Sequence, residues 1–273
     1  MAAVRRRNAG VPPAYAKSRQ DGGGPQKERR LADTLAIIPA FNEEERIGRV
    51  VRELQALALG ADVLVVNDGS GDRTAAEARR AGATVVSHPF NLGYGATLQT
   101  AYKYALRGGY RFALQLDADG QHPPEESPKV LDPVRRGEAD VVIGSRFMAG
   151  SAGYRVPLAR RIGIRLFGRL AGRLAGERMT DVTSGFIAVN RPVIALFAGE
   201  IFPADFPDAD VRMILHKAGF RVRETPVTMQ AGPPHKSMHG GLQTMWYIAK
   251  MLISMLIVAI SRRPARPDAE EKP

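Results

Sequence analysis

Asp117 and Asp119 stand two residues apart in LDADGQHPPE (116–125), directly after the apolar run FALQL (112–116). Gly120 and Pro123 favour a turn there, which would bring both carboxylates to one point. Two such charges repel. A divalent cation of the Mg2+ or Mn2+ type relieves the repulsion, because it takes hard oxygen ligands and keeps positions open for substrate phosphates. Gln121 and His122 could complete its shell, although a D-x-D also suits a plain solvent-exposed turn. A second acid, Asp68, sits in VVNDGSGDRT (65–74), where a Gly-Ser-Gly turn follows an apolar run. An acid at that depth is suited to accept hydrogen bonds from a nucleobase or ribose, whereas Asp72 reads as a helix N-cap. NLGYG (91–95) offers flexible backbone near phosphates. Neither G-x-G-x-x-G nor a Walker A sequence occurs, which argues against a dehydrogenase or a P-loop kinase. The chain has no cysteine, so disulfides, zinc-thiolate sites and thiol nucleophiles are all excluded.

These residues need a scaffold that gathers them. TLAIIP (34–39), DVLVV (62–66), TVVS (84–87), FALQL (112–116) and ADVVI (139–143) read as short buried strands, and 45–59, 74–81, 96–106 and 124–136 as helices between them. That alternation predicts βαβ units, hence an α/β fold with a mostly parallel central sheet and helices on both faces. In such sheets ligands bind beyond the carboxyl ends of the strands, where strand order reverses. Polar residues follow the first, second and fourth strands, in Pro39-Ala40-Phe41-Asn42-Glu43-Glu44, Asn67-Asp68-Gly69-Ser70-Gly71-Asp72 and Asp117 to Pro123. One site could collect all three.

At 273 residues, with 44% hydrophobic and 25% charged residues, the chain is an ordinary globular one. Its net charge of +11 is local: residues 1–33 carry +5 and residues 155–178 carry +6. The first 33 residues, polar and rich in Gly and Pro, are expected to be a disordered basic arm without the features of a secretory signal. In 155–178, Arg161, Arg165, Arg169 and Arg173 recur at four-residue spacing beside Leu158, Ile162, Leu166, Leu170 and Leu174. This predicts a basic amphipathic helix lying at a membrane surface. Residues 239–262 predict a second one, with Trp246 and Tyr247 before an apolar run and Arg262 and Arg263 after it. The apolar run 245–260 would span roughly 24 Å as a helix, against about 30 Å of hydrocarbon, and Lys250 interrupts it, so it is not expected to cross a bilayer. Residues 263–273 are expected to be a disordered tail.

IPAFNEE (38–44), VNDGSGDRT (66–74), NLGYGATLQTAY (91–102), LQLDADGQHPPE (114–125), VIGSRF (142–147) and DVTSGF (181–186) together resemble the motif series of family 2 glycosyltransferases with the GT-A fold. Within that family they look most like the polyprenyl-phosphate (dolichol-phosphate) mannose or glucose synthases. The resemblance covers about residues 34–260, and a domain of 34–238 follows from it.

The resemblance implies a nucleotide-diphosphate sugar held by Pro39, Phe41, Glu43, Asp68, Gly93, Asp117 and Asp119. It implies Mg2+ or Mn2+ on Asp117, Asp119 and Gln121, and an acceptor phosphate met by Arg146, Arg160, Arg161, Lys236 and Ser237. Asp119, Asp181 and Asp210 are the implied catalytic acids, with a base role for Asp181 or Asp210 depending on the branch. A phosphate monoester is already anionic at neutral pH, so a lipid phosphate acceptor would need no such base.

The implied activity is inverting transfer of a hexose from a GDP-mannose or UDP-glucose type of donor to a polyprenyl phosphate. It would take place at the cytoplasmic membrane face, with the enzyme peripheral, self-associated or paired with a transmembrane subunit. Transfer to a glycan, protein or small-molecule hydroxyl is the alternative. A basic nucleic-acid-binding protein is a weaker one, since the basic helix interleaves Leu rather than stacking aromatics.

Overall fold

The computed structural model describes residues 32–153, 179–203, 207–230 and 242–267, with isolated helical positions at 162, 163, 166, 168, 169, 172 and 173. Side chains of the last helix are described from 249 onward. The expected basic arm (1–33) falls almost wholly outside these residues, as do Arg160, Arg161, Lys236 and Ser237.

Seven strands form the main sheet: β1 (Thr34–Ala40), β2 (Ala61–Asn67), β3 (Thr84–Ser87), β4 (Phe112–Gln115), β5 (Val141–Ser145), β7 (Ile187–Asn190) and β8 (Val222–Pro226). Their spatial order is β3-β2-β1-β4-β7-β5-β8. All the neighbouring pairs are parallel except those of β7, which runs antiparallel to both β4 and β5. β6 (Ala152–Gly153) and β9 (Thr228–Met229) form a small parallel pair beside it. The five expected strands are present within one or two residues of their predicted bounds, while β7 and β8 complete the sheet.

The helices are α1 (Ile47–Ala56), α2 (Thr74–Arg80), α3 (Tyr94–Arg107), α4 (Ser127–Arg135), α5 (Arg191–Ala198), α6 (Ala209–Lys217) and α7 (Leu242–Ile260). Alternation along β1 divides the core between two faces. Ala36, Ile38 and Ala40 pack with Val50, Val51 and Leu54 of α1, Ala78 of α2, and Val130, Leu131 and Val134 of α4. Leu35 and Ile37 pack with Leu98, Ala101 and Tyr102 of α3, Val193, Ile194 and Phe197 of α5, and Val211 and Ile214 of α6. Tyr102 meets Phe197 edge-on at a centroid distance of 5.0 Å. A third cluster joins α7 to α6 through Met251, Met255, Ala209 and Met213.

Because β2 and β3 extend to one side of β1 while β4 lies on the other, strand order reverses between β1 and β4. A crevice at that point is the expected ligand site of an open α/β sheet.

Part of the tail expected to be disordered runs back onto the body. The Arg266 guanidinium lies 4.7 Å over the Phe220 ring and 3.3 Å from Asp140 Oδ2.

Candidate active site

The loops after β1 and β2 are laced together at the switch point. Asn42, held at φ 53°, donates its backbone N–H to Ser70 Oγ (3.0 Å) and accepts from the Gly71 N–H through Oδ1 (3.0 Å). The Glu43 N–H donates to Thr74 Oγ1 (2.8 Å). Gly69 has φ +66°, and a Cβ there would lie 2.4 Å from the Phe90 carbonyl carbon. Only glycine fits so close an approach of two backbones in the left-handed region.

Asp68 ties this pair of loops to the next. Its Oδ1 accepts from His88 Nδ1 (2.7 Å) and the Leu92 N–H (2.9 Å), and its Oδ2 from the Gly93 N–H (2.9 Å). A carboxylate offers about four acceptor positions, and bonds among the described residues fill three of them, leaving one on Oδ2. Gly93, at φ 94°, opens α3, and the next residue, Tyr94, donates its phenol O–H to Asp117 Oδ1 (2.9 Å). Asp68 and Asp117 thus belong to one hydrogen-bonded chain only a few residues long.

Asp117 is braced from behind. Gln115 donates to Tyr94 Oη (3.2 Å) and to the Gly185 carbonyl (2.9 Å), and accepts from Tyr102 Oη (2.8 Å). The Asp117 N–H donates to His122 Nδ1 (3.0 Å), and the His122 ring stacks on Phe186 at 5.1 Å. Burial raises the Asp117 carboxyl above its ordinary value, against the Tyr94 bond and the Arg146 charge, and the Glu43 charge raises it further. Burial also raises Asp119, with the Asp117 charge as the next cause. Burial pushes His122 down to about 4, so its ring is neutral at pH 7.

Asp119 accepts the backbone N–H of Gln121 (2.9 Å) and also its side-chain amide. Gln121, expected as a metal ligand, turns its amide nitrogen toward Asp119 and so acts as that carboxylate's brace. Among the described residues no three His, Asp and Glu side chains form a ready-made metal site. Two neighbouring acids raised by burial, one of them also by the other's charge, fit a divalent ion that draws its remaining ligands from a diphosphate. Asp117 and Asp119 are the residues that would hold it.

The loop before β7 meets Asp117 from the other side. A Cβ on Gly185 would lie 2.8 Å from Tyr94 Oη and 3.3 Å from both Asp117 carboxylate oxygens. Asp181, fully buried, forms a forked pair with Arg146: Nε to Oδ2 at 2.7 Å and Nη2 to Oδ1 at 2.8 Å. Burial alone would raise the Asp181 carboxyl, but the Arg146 bonds and charge outweigh it and hold it below the ordinary value. Glu224 of β8 pins this turn by accepting the Thr180 N–H (2.9 Å), the Thr180 hydroxyl (2.6 Å) and the Asp181 N–H (3.1 Å).

Several expectations change here. Asp181 is the partner of Arg146, which leaves it unsuited to act as a base. Asp210, the other candidate base, accepts from Ser254 Oγ of α7 (2.6 Å) and from the Val211 N–H (2.8 Å), and so docks the C-terminal helix. Pro39 is buried inside β1, in register with Val66, whereas Phe41 just beyond it is exposed and free to meet a ligand. Arg146 reaches Asp181 and Thr183 through Nε and Nη2, and none of these bonds uses Nη1.

Sequence reading did not single out Tyr94, His88, Glu224 or Asp208. Asp208 precedes α6, and its charge acts on Tyr94, Arg146 and Arg212. For Tyr94 and His88 the signal was their place in and beside NLGYG. Nothing in the sequence distinguishes Glu224 from other strand acids.

Beyond the crevice, α7 buries Met251 and Met255 and exposes Leu252, Ile253, Leu256, Ile257 and Ile260 along one side. In the basic segment Gly168 and Gly172 face inward, while Ile162, Leu166, Arg169 and Arg173 are all exposed. A Cβ on Gly168 would lie 2.9 Å from the Met179 carbonyl, so this segment packs beside the Asp181 turn on small residues. Among the described residues no helix is long and apolar enough to cross a membrane.

Residues 35–197 match the profile of Glycosyl transferase family 2. The chain is 33% identical to the polyprenol monophosphomannose synthase of Mycolicibacterium smegmatis, over 64% of this chain and 69% of that protein. It is 31% identical to the undecaprenyl-phosphate mannosyltransferase of Micrococcus luteus, over 76% of this chain and 88% of that one. The fold is that of glucosyl-3-phosphoglycerate synthase from Mycobacterium tuberculosis, solved with Mn2+, uridine diphosphate and phosphoglyceric acid. The TM-score is 0.60 at 19% identity, covering 86% of this chain and 79% of the other.

Proposed function

Since the chain belongs to glycosyl transferase family 2 and is a glycosyltransferase, we propose that it moves a hexose from a nucleotide-diphosphate sugar to a polyprenyl phosphate. The donor is of the GDP-mannose or UDP-glucose type, and the reaction takes place at the cytoplasmic face of a membrane with the protein bound peripherally. The observation that carries this reading is the Asp117–Asp119 pair at the switch point, both raised by burial and Asp119 raised further by the Asp117 charge. A cation-bound diphosphate is the ligand such a pair suits.

An acceptor phosphate oxygen attacks the anomeric carbon from the face opposite the diphosphate. The bond from that carbon to the donor's phosphate oxygen breaks, so configuration inverts and the nucleoside diphosphate leaves. Mg2+ or Mn2+, when bound, supplies Lewis-acid neutralisation of the leaving diphosphate. Tyr94 fixes Asp117, Gln121 fixes Asp119, and Asp68 offers its last acceptor position to the nucleoside. Asp181 and Asp210 are both committed to other partners. That favours an acceptor ionised before it arrives, as a phosphate is, over a hydroxyl that needs a base. Arg146 Nη1 is the donor left for that phosphate.

The acceptor class draws on the M. smegmatis and M. luteus relatives, whose names specify polyprenol and undecaprenyl phosphate. Membrane docking draws on the exposed apolar side of α7, followed by exposed Arg262 and Arg263, and on the exposed Ile, Leu and Arg of the basic segment. In the decisive assay, labelled sugar from a nucleotide donor passes into an organic-extractable lipid in a metal-dependent way, and Asp119→Ala abolishes the transfer. Label recovered only in water-soluble product refutes the acceptor; undiminished turnover in the variant refutes the site.

A further inference from the structure

We propose that His88 is a positioning residue for donor recognition: it orients Asp68, and the loop that follows passes that orientation to Asp117. The inference rests on the reading of the crevice as a nucleotide-sugar site. His88 lies just past β3, and its ring bridges two elements, with Nδ1 2.7 Å from Asp68 Oδ1 and Nε2 2.9 Å from Thr100 Oγ1 of α3. The His88 and Asp68 side chains are 8% and 5% exposed. A carboxylate only accepts, so Nδ1 carries a proton toward Asp68, while Nε2 closes a hydrogen bond with the Thr100 hydroxyl. Every polar atom of the ring is thereby used, and its plane is fixed from both ends.

Thr100, His88 and Asp68 follow the atom order of a nucleophilic relay, but the surroundings of Thr100 do not suit attack. It stands in the middle of α3 (Tyr94–Arg107), where helix N–H groups are taken up within the helix and no pair of them can form an oxyanion hole. The string therefore serves its other end, Asp68.

At that end the consequences reach further than one carboxylate. His88 and the Leu92 N–H share Oδ1, and the Gly93 N–H takes Oδ2. A carboxylate rotated away from this arrangement would lose its hold on both amides, at the point where Gly93 sets the start of α3. Tyr94, next in the chain, holds Asp117 Oδ1. The contact of Gly69 with the Phe90 backbone blocks the loop from shifting independently of the Asp68 turn. The nucleoside end and the diphosphate end of the crevice are thus tied through residues 88–94, with His88 as the anchor.

The test uses the full chain with His88→Leu, His88→Asn and Thr100→Val. Asn can still donate to Asp68 but cannot reach Thr100. In the wild type, 15N spectra are expected to show His88 protonated at Nδ1. His88→Leu weakens UDP or GDP binding in Mn2+ and raises the donor KM by roughly tenfold, the scale of one lost charge-assisted hydrogen bond, while the acceptor KM is unchanged. His88→Asn recovers most of that loss, and Thr100→Val falls between. A folded His88→Leu with unaltered donor KM overturns the inference, as does an Asn variant no better than Leu. Should the Leu variant not fold, a Thr100→Val protein with wild-type donor KM and 15N signature overturns it equally. Wild-type protein that binds no nucleotide refutes the functional reading itself, and the inference falls with it.

Discussion

Replacing Arg146 by Met removes one half of a buried ion pair and leaves the other half stranded. The Asp181 side chain is 0% exposed and that of Arg146 11%, and two short bonds of 2.7 and 2.8 Å join them. Breaking such a pair costs about 3–5 kcal/mol. The lower end applies here, because Asp181 keeps the backbone N–H of residue 146 (3.0 Å) and weaker bonds from Thr183 at 3.3 and 3.4 Å. About 3 kcal/mol in a domain of this size lowers Tm by roughly 6–12 °C.

The double variant Arg146→Met, Asp181→Asn leaves neither charge buried, and is expected within about 1 kcal/mol of wild type. Acid provides a second check. In the wild type Asp181 is held below its unfolded value of about 3.9, so its contribution is complete above that pH and is lost as pH falls through the folded value. Without Arg146, burial raises the folded value above the unfolded one. The penalty is then full at neutral pH and disappears as pH falls. Urea unfolding of the three proteins between pH 7 and pH 3 measures both effects. A deficit that stays constant over that range, or a double variant as unstable as the single one, refutes the reasoning.

Gly69→Ala forces a side chain into the left-handed region and against the Phe90 backbone, so a loss of about 2 kcal/mol or more is expected by denaturant titration, with weaker nucleotide binding. Lys217 donates from Nζ to the Val258, Ala259 and Ser261 carbonyls at 2.6, 2.9 and 2.7 Å, which caps the end of α7. Lys217→Met is expected to cost about 1–2 kcal/mol and to speed amide exchange in the last turn of α7, read by mass spectrometry. Leu256→Glu with Ile257→Glu changes only exposed positions, so flotation with anionic vesicles should fall while Tm stays within a few degrees.

The first half of the fold is legible because its strands are continuous apolar runs separated by helical periodicity, which is what parallel strands buried on both faces require. β7 is hidden for a related reason. IAVN is only four residues long, and Ile187 and Asn190 at its ends are half-buried, so no run stands out from its surroundings. Residue types at strand ends led to Asp68, Asp117 and Asp119, since loops there converge whatever their detailed path. What could not be read was which oxygen each acid has left to offer. In sequence Asp181 and Asp210 look alike, each a candidate base that the family resemblance implies. Only packing reveals that one meets Arg146 and the other Ser254.

The direction of β7 explains how a loop that precedes a strand enters a site built from loops that follow strands. β4 and β5 run the same way, and their carboxyl ends lead into Asp117 and Arg146. In register, Ile187 pairs with Gln115 on one side and Ile143 on the other, so β7 begins at the edge where its neighbours end. The segment upstream of Ile187 is therefore delivered between the two carboxyl ends, and it carries Gly185 against Asp117 and Asp181 against Arg146. Had β7 run parallel, those residues would lie at the far edge of the sheet, and Arg146 would face the crevice without its carboxylate. A pair that joins the β5 end to the β7 start holds Arg146 near Asp117 at a fixed place. The strand reversal, more than any single acid, makes the second half of the chain part of the site.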